Sequence, residues 1–272
     1  MSVVPVYSIA KSSTAAAALL SFDPEAPVGT VLPDLPSVLA RLTFRDLLSH
    51  RSGLEDYAGW PDYGPAVAAR ETPWPVADVL GRARVGEPGR FVYSNIGYLL
   101  VRLALETKHG TPFFEVLDDL VLGPLGIQAW PFSEPEDWDH CDHPAIDDSL
   151  RRYHLGWVYT GTFAAEPDEA ARGIALILQG RLGADVAAAM KRTMPVDVPA
   201  DDPFAPTAGY GLGLMTHGIP VSAVGHGGGG PGFSLFAAAS ADGTRWRGEV
   251  GATERPDEDL VRRCLEAVAN PA

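Results

Sequence analysis

The chain has 272 residues, 46% of them hydrophobic, and a formal net charge of −14. That length and apolar content suffice for one large domain or two intimately joined ones. The acidic balance leaves no basic footprint for nucleic acid or an anionic membrane, and no apolar run has the length of a bilayer-crossing helix.

In chain order, the first chemistry-bearing pair is Ser8 and Lys11, three residues apart, just ahead of a predicted helix over Ser12 to Phe22 with Ala15, Ala18, Leu19 and Phe22 on its apolar side. Both polar side chains therefore share a face. Unpaired N–H groups at the first turn favour negative charge developing on the serine oxygen, and a lysine kept neutral by burial and nearby cations can take its proton. Taken singly, Ser8 reads as an N-cap and Lys11 as a solvated residue. Lysine is scarce, however, with only Lys11, Lys108 and Lys191 in the chain, so its presence here favours a side chain able to lose a proton. The apolar run Ala15 to Leu20 is too short for a signal peptide and has no processing site.

His50, between Ser49 and Ser52 and ahead of Gly53, fits a helix-ending turn better than a catalytic base. Pro88-Gly89-Arg90 marks a turn before Tyr93-Ser94-Asn95, which opens a predicted helix from Ile96 to Leu105. A phenol there can shuttle a proton, and the Asn95 amide can orient Lys11 and contact a substrate carbonyl. Ser133 to Asp148 and Pro195 to Pro206 read as surface loops. Within the first, His140-Cys141-Asp142-His143 is crowded by Glu134, Glu136, Asp137 and Asp139, so an acidic loop is expected rather than a metal site. No cofactor or metal is expected. Cys141 and Cys264 read as reduced thiols.

Two predicted strands, Pro220 to Val224 and Phe233 to Ala239, flank the run Gly225-His226-Gly227-Gly228-Gly229-Gly230-Pro231-Gly232, read as an embedded turn where something approaches the backbone closely. Pro231 and the strand-like continuation argue against a dinucleotide loop. The absence of a later nucleophile elbow argues against an α/β-hydrolase oxyanion loop, and the flanking strands against a flexible linker. Thr244, Trp246, Gly248, Val250 and Ala252 then alternate with Arg245, Arg247, Glu249 and Gly251 as in a half-buried strand. Asp257 to Ala269 predicts an amphipathic helix with Leu260, Val261, Cys264, Leu265 and Val268 inward.

These motifs, with Leu42-Thr43-Phe44-Arg45-Asp46-Leu47-Leu48-Ser49-His50-Arg51-Ser52-Gly53-Leu54, Pro88 to Leu100, Thr160-Gly161-Thr162-Phe163, Asp168 to Gln179 and Tyr210-Gly211-Leu212-Gly213-Leu214, resemble the penicillin-recognising serine hydrolases of the class C β-lactamase type over nearly the whole chain. The resemblance implies an α+β, β-lactamase/transpeptidase-like fold: an antiparallel sheet flanked by helices, with an inserted mainly helical region. Residues 1–205 would hold the nucleophile helix and helical region, and 206–272 the sheet and last helix, packed as one catalytic unit. It implies Ser8 as acylated nucleophile, Lys11 and Tyr93 as the proton-transfer pair, and Asn95, His226 and Gly228 as substrate contacts. The Ser8 and Gly229 N–H groups would form the oxyanion hole.

His226 stands where relatives often carry lysine; an imidazole titrating near neutrality anchors a carboxylate less firmly and leaves esters, amides and lactones open. Only Met1 to Tyr7 precede Ser8, so the leading strands of the sheet are expected to be missing. Either a second copy of the chain covers the exposed edge, or the fold closes differently, or the start codon is annotated too late. The expected compartment is the cytoplasm for this reading frame, with export if an upstream signal exists. The expected function is hydrolysis of a small-molecule ester, amide, D-amino peptide or β-lactam through acyl-Ser8. The alternative is a catalytically impaired protein that binds a cell-wall peptide or other ligand.

Overall fold

In the computed structural model, which describes residues 2–251 and 258–269, strand β1 (Val4–Pro5) turns through Tyr7–Ile9 into helix α1 (Ala10–Ser21). Tyr7 takes a left-handed φ of 46°, uncommon for a bulky residue, which turns the chain abruptly just before Ser8. Helix α1 is rich in alanine, the best helix former and small enough for close neighbours, and every residue from Ala10 to Ala18 is buried. The helix starts ahead of the predicted Ser12, with Ser8 in the 3-10 turn that leads into it.

A helical stretch follows: α2 (Ser37–Ala40), α3 (Phe44–Leu48), α4 (Tyr63–Ala68), α5 (Val76–Arg82), α6 (Asn95–His109) and α7 (Phe113–Leu117). A Thr43–Asp46 capping box starts α3. The long α6 begins on Ser94, whose Oγ accepts from Gly97 N at 3.3 Å, and ends at Gly110 with φ 71°. It packs on both α1 and α3. Strands β2 (Ala129–Pro131) and β3 (Phe163–Ala165) complete a small antiparallel sheet in the order β1-β3-β2, with Val4 opposite Ala165. Val6 N donates to Phe163 O at 2.9 Å, so the pairing of β1 with β3 continues up to the turn that carries Ser8.

Beyond α8 (Pro167–Leu178) and α9 (Ala184–Lys191) lies a six-stranded antiparallel sheet of β4 (Met194–Pro195), β5 (Gly209–Tyr210), β6 (Met215–His217), β7 (Ala223–Gly230), β8 (Phe233–Ser240) and β9 (Trp246–Gly251), in that spatial order. Helix α10 (Glu258–Ala269) follows. Every position of β8 is buried because the sheet is covered twice. Phe233, Leu235, Ala237 and Ala239 join the large core with α1 and α8, whereas Phe236 and Ala238 join a second cluster with α10. The inward residues of α10 are the predicted Leu260, Val261, Cys264, Leu265 and Val268. One core runs from Val4 to Ala239 and spans both sides of residue 206.

The glycine run departs from expectation. Gly225 to Gly230 belong to β7 itself, in register with Phe233 to Ala238, and only Pro231-Gly232 turn, with φ 86° at Gly232. The reason is tertiary: a Cβ on Gly228 would overlap Val6 O, and one on Gly230 would overlap the Tyr7 ring. Pro220 to Val224 is a strand only from Ala223. Strand β9 is less buried than an alternating face requires, with Trp246 39% exposed, because it borders the sheet among the described residues; Gly248 N there donates to Asp168 Oδ1 of α8 at 2.8 Å. Met1, Ala252 and Asp257 lie outside the described residues. Among those described, no helix is long and apolar enough to cross a membrane.

Candidate active site

Three elements bring the sequence motifs together. The turn before α1 holds Ser8 half-buried, and Lys11 one turn on is 1% exposed, with its Nζ 2.8 Å from Ser8 Oγ and 2.8 Å from Asn95 Oδ1. Asn95 is the first residue of α6, held where it is by the Ser94 cap. Strand β7 supplies His226 and the glycines, and it lies directly against the Tyr7–Ile9 turn because glycine leaves that space free.

Burial pushes the Lys11 amine down to about 7, opposed by the Asp56 carboxylate. The sequence-based expectation named burial and nearby cations; burial is the larger cause here, and the charged group acting on Lys11 is an anion. Tyr93 packs its ring 5.1 Å from Lys11 Nζ. Burial raises its phenol well above the usual range, only partly offset by a hydrogen bond with Ser8. The group stays protonated at neutral pH.

His226 differs from expectation. It is fully buried, with Nδ1 2.7 Å from Gly227 O and Nε2 3.1 Å from the Tyr210 hydroxyl. A carbonyl only accepts, so Nδ1 carries the proton and Nε2 accepts from Tyr210. Burial, then the neighbouring Lys11, push this imidazole down to about 3, so it is neutral rather than poised near neutrality.

Ser8, Tyr93, Asn95, His226 and Gly227 to Gly230 open onto one cavity of about 940 Å³. Its remaining wall carries the aromatic residues Tyr7, Tyr57, Tyr63, Tyr153 and Trp157 together with the charged Arg70 and Asp147. His50 does not line that cavity. It is buried with φ 56°, and its Nδ1 accepts from Ser94 N at 3.1 Å. His140 and Asp142 lie apart from the site, and among the described residues no group of three or more His, Cys, Asp or Glu is placed to hold a metal ion. Cys141 and Cys264 are buried free thiols.

Asp56 and the aromatic wall are absent from the motif reading. Asp56 accepts from Asn95 Nδ2 at 2.9 Å, yet in the sequence it is one of 35 acids with no diagnostic spacing. Tyr57, Tyr63 and Tyr153 are scattered along the chain, and only the fold assembles them.

The fold has many solved counterparts. A D-stereospecific amidohydrolase from Streptomyces sp. superposes with a TM-score of 0.76 at 23% identity, over 95% of this chain and 85% of that one. The D-amino acid amidase from Ochrobactrum anthropi SV3, complexed with D-phenylalanine, gives 0.75 at 22% identity over 99% and 85%. The octameric penicillin-binding protein homologue from Pyrococcus abyssi gives 0.70 at 19% identity, over 92% of this chain and 62% of that one. No curated protein sequence matches the chain. The sequence profile described as Beta-lactamase matches residues 2–244, nearly the whole chain, and the protein belongs to the beta-lactamase family.

Proposed function

We propose that the protein is a serine hydrolase that cleaves amides or esters of D-amino acids with apolar or aromatic side chains through an acyl-Ser8 intermediate. The observation that carries this reading is the buried Lys11 amine, 2.8 Å from Ser8 Oγ and with its pKa lowered to about 7, beside a cavity large enough for a small substrate. At neutral pH much of that amine is free base. It takes the Ser8 proton as Oγ attacks the substrate carbonyl, and the Ser8 and Gly229 N–H groups receive the oxyanion. The proton passes from Lys11 through the Tyr93 hydroxyl to the departing amine or alkoxide as the carbon–heteroatom bond breaks. Tyr93 thus relays and Lys11 is the base, since a phenol raised by burial does not ionise first. Water then attacks the acyl ester, adds OH to the acyl carbon and returns its other proton to Ser8 Oγ.

The substrate class follows from the walls. A neutral His226 engaged on both ring nitrogens offers no cation beside the glycine strand; among the described residues the cation that lines the cavity is Arg70, so the preference for amides and esters over carboxylate-bearing β-lactams and peptides rests on the missing charge at His226 itself. Tyr57, Tyr63, Tyr153 and Trp157 suit an apolar or aromatic side chain, and an amidase of this fold binds D-phenylalanine. The test combines labelling and turnover. Fluorophosphonate should modify Ser8, seen by mass spectrometry, and D-phenylalaninamide and p-nitrophenyl esters should turn over faster than nitrocefin or D-alanyl-D-alanine peptides. Folded protein that neither labels nor turns over any of these is a binding protein, and the reading is wrong.

A further inference from the structure

We propose that Asp56 is a positioning residue for the nucleophile's base: its carboxylate holds the Asn95 amide in the one orientation that presents Oδ1, and not the NH2 group, to Lys11. This rests on the reading of Lys11 as the base that activates Ser8.

An asparagine amide has an accepting end and a donating end, and Asn95 lies between two partners that decide which is which. Its Oδ1 is 2.8 Å from Lys11 Nζ, and its Nδ2 donates to Asp56 Oδ2 at 2.9 Å. Burial raises the Asp56 carboxyl above its ordinary range, opposed by the hydrogen bonds from Ala58 and Asn95 and by Lys11; as a carboxylate it only accepts, so a flipped amide would set oxygen against oxygen there. The same flip would aim an N–H at Lys11, where it would donate into the lone pair the amine needs for the Ser8 proton. Asp56 thus keeps that lone pair free for Ser8.

Asp56 is itself fixed. It caps the Tyr57–Gly59 turn, with Oδ1 accepting from Ala58 N at 3.3 Å. The preceding residue accepts from the same loop as Asn95: Glu55 O receives Ser94 Oγ at 2.7 Å. Asp56 is not among the residues lining the cavity, so it acts through Asn95 rather than on substrate.

A second consequence is electrostatic. Facing Lys11 are the rings of Tyr93 and Tyr98, at 5.1 and 5.4 Å, the imidazoles of His50 and His226, and Asp56. Burial holds the phenols protonated and the imidazoles neutral. Asp56 is the carboxylate that favours the ammonium form, so removing its charge lowers the pH at which Lys11 becomes free base.

The experiment uses the full chain and compares wild type with Asp56→Asn and Asp56→Ala. Fluorophosphonate labelling of Ser8 and p-nitrophenyl ester hydrolysis are followed across pH, with circular dichroism melting as the folding control. The expected result is a fall in acylation rate of tenfold or more for Asp56→Ala and a smaller fall for the isosteric Asp56→Asn. In both, the acid limb of kcat/KM moves to lower pH. Should Asp56→Ala fail to fold, Asp56→Asn alone decides. Variants that label at the wild-type rate, or that lose activity only in proportion to lost folded protein with an unmoved acid limb, overturn the role of Asp56 while leaving Lys11 as base. A wild type that never labels overturns both.

Discussion

The cavity has two kinds of wall, built in opposite ways. The side proposed to be reactive comes from the ends of regular elements: the turn into α1, the first residue of α6 and the glycines of β7, locked by close backbone approach. The aromatic side comes from the short α4 and from loops and 3-10 turns around Tyr57, Tyr153 and Trp157. Regular elements hold reacting atoms to tight tolerances, whereas loops vary pocket shape without disturbing them. Substitutions on the first side should therefore cost rate, and those on the second should change preference. The largest effect is expected from Ser8→Ala, which removes the proposed attacking atom: kcat should fall by about 10³ or more with little change in melting temperature. Undiminished turnover by purified Ser8→Ala would place the chemistry elsewhere.

Gly228→Val comes next. The added side chain would overlap Val6 O, so β7 must move away from the turn that carries Ser8. Overpacking of this kind costs about 1–3 kcal/mol, and a displacement near one ångström costs about 10²-fold in rate. A variant that melts as wild type and keeps full activity would mean that close approach of β7 is dispensable.

The pH dependence tests the electrostatics of the same side. In the proposed mechanism Lys11 acts as the base in its neutral form, and its pKa is lowered to about 7 by burial. kcat/KM should therefore rise with pH through about 7, roughly tenfold per unit on the acid side, and then level off. His226, pushed down to about 3, adds no limb in this range. A rise centred near the ordinary lysine value would show that burial does not tune the amine.

The reactive side was largely legible in the sequence because its signals are local: a three-residue Ser8–Lys11 spacing, and a Ser94 cap that places Asn95 at a helix start. The glycine run was legible as a place of close approach but not as a strand. What it approaches, Val6 and Tyr7, is more than two hundred residues away in sequence, and glycine has no strand propensity of its own. The neutrality of His226 was hidden for a similar reason, since its partner Tyr210 and its burial are products of the fold. Asp56 shows the limit most plainly: a carboxylate at the end of a polar relay has the same letter as a solvated one.

The smallest effect tests the aromatic side. Tyr63, on α4, is half-buried at the cavity wall, its ring 5.3 Å from Tyr57 and 5.6 Å from Trp157. Cutting it to alanine removes aromatic contact worth about 0.5–1.5 kcal/mol, or about two- to tenfold in kcat/KM. Because Tyr63 touches none of the proton-transfer groups, the loss should fall on D-phenylalaninamide and spare a substrate too small to reach that wall, such as p-nitrophenyl acetate. The ratio of the two rates is the measurement, since it cancels any change in folded fraction. Equal losses on both substrates would mean that the aromatic wall supports the catalytic side rather than selecting the acyl group, and the division of labour between the two walls would fail.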